Sequence, residues 1–145
     1  MKSDFSTKII VFACNWCSYG GADLAGVGRM QYPPSIRLIR LMCSGMVAPS
    51  YILRAFERGA DGVLVTGCHI GDCHYSEGNH KALKMMAKTR QIIELLGIDQ
   101  NRLRREWISA SEGTRFAQVM TEFTEQVHGL GCIALTKKNS VYKRI

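Results

Sequence analysis

Five of the six cysteines in this 145-residue chain fall in three short groups, and each group follows a short apolar run. Cys14 and Cys17 come after Lys8-Ile9-Ile10-Val11-Phe12-Ala13. Cys43 comes after Ile36-Arg37-Leu38-Ile39-Arg40-Leu41-Met42, and Cys68 and Cys73 come after Asp61-Gly62-Val63-Leu64-Val65-Thr66-Gly67. Thiolates are soft ligands, and a gathered set of them suits zinc or an iron–sulfur cluster. Two thiolates on each of two adjacent loops can hold a rhombic [2Fe–2S] core, which takes four. Cys14, Cys17, Cys43, Cys68 and Cys73 offer five, so one is surplus or an alternative ligand, and spacing leaves open which.

Other residues near the thiols carry weaker chemistry. Cys68-His69 and Cys73-His74 are adjacent pairs, but residues adjacent in extended chain point opposite ways, and a Rieske-type loop spaces its ligands differently. The histidines are therefore set aside as ligands. Trp16, Tyr19 and Tyr75 flank the thiols, as a shield, a docking surface or simple loop packing. Gly20-Gly21 is expected to help the Cys14/Cys17 loop close, and Gly67 and Gly71 to let backbone N–H groups approach sulfur. Gly26-Val27-Gly28 begins a dinucleotide-like pattern without its third glycine or its preceding strand. No Walker loop and no Ser/His/Asp spacing occurs, and nothing supplies an acid, base or nucleophile beside a substrate pocket.

The thiols need a frame that brings them together. Short β-branched runs separated by helix-length segments read as strands of a parallel sheet. Parallel strands end on one edge, where ligands gather in open α/β sheets. The first strand is expected over residues 8–13, a loop and short helix over 20–28, the second strand over 36–42 and the third over 61–67. Pro49 suits the first turn of a helix whose Ile52, Leu53 and Phe56 share a face before Gly59 ends it. Residues 79–96 carry a helical stripe of Ala82, Met85, Met86, Thr89, Ile92, Ile93 and Leu96, read as core and not as a methionine metal box. Trp107-Ile108 belongs to a fourth strand. Ser109 and Glu112 have capping-box spacing, before a helix carrying Phe116, Val119, Met120, Phe123 and Val127 that ends at Gly129. The expected fold is α/β: an open, mostly parallel four-stranded sheet with helices on both faces, in the flavodoxin-like order 2-1-3-4. Residues 1–135 form one domain, and residues 136–145 a basic tail.

Composition narrows the class. The chain is 46% hydrophobic and 21% charged, as in ordinary globular domains. Its longest apolar run falls short of the roughly 20 residues of a membrane span, and the run near the amino terminus is too short for a secretory core. A cytoplasmic location is expected, where thiols stay reduced and disulfides are rare. The net charge of +7 draws on Arg102, Arg104 and Arg105 and on Lys137, Lys138, Lys143 and Arg144, read as a solvated face with a basic tail. Docking to an acidic partner protein is the other reading. No aromatic-plus-basic RNA motif or DNA-reading helix is visible, so neither nucleic acid nor membrane is expected as a partner. Cys132 reads as an inert buried cysteine, and His80 and His128 as surface residues on helices.

The segments Phe12-Ala13-Cys14-Asn15-Trp16-Cys17-Ser18-Tyr19, Ala22-Asp23, Met42-Cys43-Ser44-Gly45 and Gly67-Cys68-His69-Ile70-Gly71-Asp72-Cys73-His74-Tyr75, with Asn79, carry a resemblance. From about Lys8 to Gly131 the chain resembles the delta subunit of the methyl-viologen-reducing (F420-non-reducing) [NiFe] hydrogenase. Domains of this kind also occur fused to heterodisulfide reductase subunits. The resemblance implies one [2Fe–2S] cluster, held by four of the five motif cysteines. It implies a non-catalytic relay that takes electrons from the large and small hydrogenase subunits to the flavin- and iron–sulfur-containing heterodisulfide reductase subunit, where flavin-based bifurcation occurs in methanogens. The motif cysteines match the family pattern; Cys132 and the tail lie outside it. Three rival readings come from the residues alone: a zinc-binding structural domain, a Cys-x2-Cys thiol oxidoreductase, and a flavodoxin-like FMN protein. The second is disfavoured because a glycine-rich loop, and not a helix, is expected after Cys17. The third is disfavoured because cysteines stand where a phosphate-binding Ser/Thr loop belongs.

Overall fold

The computed structural model describes residues 6–133. The order is β1 (Ile9–Cys14), α1 (Ser18–Val27), β2 (Ile36–Leu41), a 3-10 turn (Ser44–Met46), α2 (Pro49–Glu57) and β3 (Gly62–Gly67). Then follow α3 (Gly78–Leu95), a 3-10 turn (Gln100–Arg102), β4 (Leu103–Trp107) and α4 (Gly113–Leu130). The four strands form one parallel sheet, as the alternation of runs implied, in the expected flavodoxin-like order β2-β1-β3-β4.

The pleat sorts each strand onto two cores. Ile9, Val11, Ile36 and Leu64 face α1 and α4, packing on Ala22, Ala25, Phe116, Met120 and Phe123. Phe12, Val63, Val65 and Leu103 face α2 and α3, packing on Ile52, Phe56, Met85, Met86 and Ile93. β3 is buried along its whole length, the mark of an inner parallel strand covered on both faces. Pro49 opens α2 at a position where its missing N–H costs nothing, and Gly59, at φ +104°, takes the left-handed turn beyond it.

Several elements depart from expectation. α1 begins at Ser18, directly after Cys17, so Gly20 and Gly21 lie inside a helix and not in a closing loop. Their role is close approach: a Cβ on Gly20 would stand 2.9 Å from the Ala110 Cβ, and one on Gly21 would stand 2.9 Å from the Ser109 carbonyl oxygen. In α3 the buried face is Ala82, Met85, Met86, Thr89 and Ile93, whereas Ile92 is 36% and Leu96 57% exposed. Ile92 sits at the margin of the stripe, and Leu96 lies beyond the last turn. α4 starts at Gly113, and only half a capping box forms: the Ser109 N–H donates to the Glu112 carboxylate, while the Ser109 hydroxyl pairs with Ser111. The helix runs past Gly129 to Leu130 and stops at Gly131, at φ +75°.

Arg102 is not part of a solvated face. It is buried, and its guanidinium donates to the carbonyl oxygens of Asp61 and Leu130 at 3.0 Å each. The Asp61 carboxylate accepts the Lys8 N–H at 2.9 Å and the Ile133 N–H at 3.4 Å. These bonds satisfy two buried charged residues and tie the start of β1, the start of β3 and the end of the described chain together. The tail cations from Lys137 onward lie outside the described residues. Among the described residues, no helix is long and apolar enough to cross a membrane.

Candidate metal centre

The topology delivers thiols to the carboxyl edge of the sheet. β1 ends on Cys14, opposite Leu41 of β2, and β3 ends one residue before Cys68. Because β1 lies between β2 and β3, its last residue stands between the other two loops. The Cys14 thiol lies 3.6 Å from the Met42 carbonyl oxygen and 3.9 Å from the Cys68 Sγ. The Cys68 thiol is 2.8 Å from the Cys17 Sγ. These three sulfurs lie within 4.8 Å of one another in a buried pocket, and half-buried Cys73 packs against them.

The other two thiols meet at the start of α3. A Cβ built on Gly78 would lie 2.0 Å from the Cys43 Sγ and 3.1 Å from the Cys73 Sγ. The missing side chain is thus the space these sulfurs use. All five sequence-predicted ligands therefore come to one edge, as a tight trio and an adjoining pair. Cys132 does not: it lies beyond α4 and is exposed, not buried, while its neighbour Ile133 packs into the core.

Backbone amides serve this edge. The N–H groups of Tyr75, Gly78 and Asn79 turn to Cys73, those of Trp16 and Ser44 to Cys14, that of His74 to Cys68, and that of Gly45 to Cys43 at 3.4 Å. Gly67 and Gly71 do other work. Gly67 leaves room for the Ser44 side chain, and Gly71 turns the loop at φ +92°. α1 and α3 both begin here, and helix starts carry partial positive charge that favours anionic sulfur.

The thiols respond as a coupled set. The Cys17 thiol beside Cys14 brings Cys14 down to about 6 against its burial, and the same interaction drives Cys17 upward. Burial raises Cys43 and Cys68. Burial also opposes ionisation of Cys73, but the three backbone amides together with the Cys43 thiol outweigh it and lower its value. Soft donors crowded in low dielectric, with amides and helix starts aimed at them, fit a thiophilic metal that would take the thiols as thiolates.

Neighbouring side chains hold the loops. Fully buried Asn79 donates from Nδ2 to the carbonyl oxygens of Cys68 at 3.2 Å and His69 at 2.9 Å, pinning the β3 loop to α3. No spacing rule marks this role, since Asn79 acts through partners ten and eleven residues away. His69 pairs with Glu112, whose carboxyl falls to about 2 because the Ser109 N–H and the imidazole both bind it. The His74 ring stacks on Trp16 at 4.0 Å, and the Trp16 indole N–H donates to the Tyr75 hydroxyl at 3.1 Å. Both histidines thus have other partners, and the aromatics join the β1 and β3 loops. The guanidinium of Arg40 lies 5.2 Å over the Tyr19 ring.

Comparison with known proteins agrees with this frame. Residues 9–131 match the family model described as methyl-viologen-reducing hydrogenase, delta subunit. The chain is 51% identical over 140 residues to the vhc iron-sulfur subunit of an F420-non-reducing hydrogenase from Methanococcus voltae, covering 97% of this chain and 96% of that one. It is 50% identical over 131 residues to the iron-sulfur subunit of the F420-non-reducing hydrogenase from Archaeoglobus profundus, covering 90% and 96%. It is also 49% identical over 125 residues to a component of the ferredoxin:CoB-CoM heterodisulfide reductase from Methanosarcina mazei, covering 86% of this chain but 16% of that protein. A match along nearly the whole chain, on a fold that gathers the motif cysteines, makes this protein a member of the methyl-viologen-reducing hydrogenase delta subunit family.

Proposed function

We propose that this chain is an electron-relay subunit carrying one [2Fe–2S] cluster, held by four thiolates from Cys14, Cys17, Cys43, Cys68 and Cys73. Residues 1–135 would be the cluster domain and residues 136–145 an appended basic tail. The observation that carries the reading is the convergence of five thiols, from three strand ends, on one edge of the sheet: the Cys14, Cys17 and Cys68 trio and the Cys43 and Cys73 pair beside Gly78. When bound, the cluster supplies a one-electron carrier. The chain's residues supply the rest: Cys14, Cys17 and Cys68 are buried away from water, and the amides of Tyr75, Gly78 and Asn79 offset negative charge at Cys73.

The relatives' names point to the partners: a hydrogenase on one side and a heterodisulfide reductase on the other. We infer that the chain passes electrons from the [NiFe] hydrogenase subunits to the flavin-containing heterodisulfide reductase subunit. Anaerobic purification should give two iron and two acid-labile sulfide per chain, with one paramagnetic signal on reduction. Stoichiometric zinc without sulfide would overturn the reading.

One observation favours a second reading. Cys17 stands at the N-cap position of α1, so the Cys-x2-Cys pair lies at a helix start, as in thiol oxidoreductases, and the neighbouring Cys17 thiol brings Cys14 down to about 6. The relay is preferred because Cys14 is 2% and Cys17 5% exposed, which leaves a substrate disulfide no access. Dithiol exchange that persists after Cys43, Cys68 and Cys73 are all changed to Ser would reverse this preference.

A further inference from the structure

A parallel sheet is normally covered on both faces, because helices lie over each strand. Here α2 and α3 cover β1, β3 and β4 on one face, but only the last residue of β2. The β2 side chains on that face are Arg37, Ile39 and Leu41; Leu41 reaches the core, whereas Ile39 is 41% exposed. Between β2 and α2 runs a groove of about 660 Å³. Its floor includes Ile10, Phe12, Ile39 and Tyr51, the last 47% exposed. Its rim carries Lys8, Arg37, Arg54 and Arg58, all exposed. Arg54 pairs with Glu57, and among the described residues no carboxylate pairs with Lys8, Arg37 or Arg58. The groove starts at the amino end of β1, away from the cysteine edge.

We propose that this groove is an anchoring surface for an acidic amphipathic helix of a partner protein, which lies over β2 as the third helix of this face. The shape is that of the helix layer the fold lacks there. A six-residue strand is about 20 Å long, which matches roughly 13 helical residues. The floor would take the apolar stripe, and Lys8, Arg58 and Arg37, the last oriented by the Pro34 and Ile36 carbonyl oxygens, would take flanking carboxylates. Charge selects the occupant. A second copy carries net +7, and residues 134–145 contribute Lys137, Lys138, Lys143 and Arg144, so both meet the rim with like charge. The apolar floor suits a polypeptide better than a phosphate backbone. The proposal rests on the relay reading only in that the chain works inside a complex.

The test uses the full, cluster-loaded chain and two synthetic 14-residue helices, one of Leu and Glu and one of Leu and Lys. The Leu/Glu helix should slow amide exchange in residues 36–41 and 49–57, and the Leu/Lys helix should not. Arg37→Glu with Arg58→Glu should weaken binding at least tenfold, and Ile39→Asp comparably. The variants' paramagnetic signal should be unchanged, which separates failure here from failure of the cluster assignment. In the purified complex, the same two segments should exchange more slowly than in the isolated chain. Equal binding by the charge-reversed variant, or unprotected segments in the complex, would overturn the proposal. So would protection by a single-stranded oligonucleotide in place of the helix, by concentration-dependent dimerisation, or by residues 134–145 in the isolated chain.

Discussion

Gly78 and Cys68 show what single residues contribute to the thiol edge. Gly78 has no strand or turn duty; its value is that Cys43 and Cys73 fill the place of its Cβ. Gly78→Ala should therefore lower iron and sulfide content at least severalfold while far-ultraviolet circular dichroism stays native, because the methyl displaces sulfur and not the core. Cys68 lies between Cys14 and Cys17, within reach of both sulfurs. Cys68→Ala should abolish the paramagnetic signal of the reduced protein, and exposed Cys132→Ala should leave it intact. An unchanged signal in Cys68→Ala would contradict the ligand assignment. The cysteines were legible in the sequence because each follows an apolar run. Gly78 was not legible as a site residue, and Asn79, though part of the family motif, was not legible as the pin of the β3 loop, since each acts through atoms on other segments that only the fold brings near.

At the scale of elements, apolar runs and breakers identified all four strands, and the flavodoxin-like analogy supplied their order. They failed where glycine had two possible meanings. Gly20-Gly21 suggests a loop when local flexibility is weighed, but in α1 the pair lets the helix touch the segment between β4 and α4. Arg102 was misread for a related reason: its partners are carbonyl oxygens 41 and 28 residues away. The two kinds of helical glycine can be told apart by experiment. Gly21→Ala should destabilise the fold by about 1–3 kcal/mol, because the new methyl meets backbone that cannot move aside. Gly26→Ala, where nothing lies within 4 Å, should stabilise it by about 0.5–1 kcal/mol through lower chain entropy. Urea midpoints of the two variants should move in opposite directions.

Across the whole molecule, the sheet divides the protein into a rigid body and an adaptable edge. β1 and β3 are nearly wholly buried between helices, whereas the loops after β2 and β3 are exposed along much of their length and owe part of their hold to the thiols, beside Asn79, His69 and the Trp16 contacts. Removing the cluster should speed amide exchange in residues 42–46 and 68–77 and leave the central strands protected; uniform acceleration would show that the metal holds the whole fold. The Asp61 node has the opposite address. One carboxylate grips the amides of Lys8 and Ile133, so the two ends of the described residues lie side by side, at the far pole from the sulfur. A unit whose ends adjoin can be carried in a larger chain without disturbing its opposite pole, and a homologous stretch makes up 16% of a reductase polypeptide in Methanosarcina mazei.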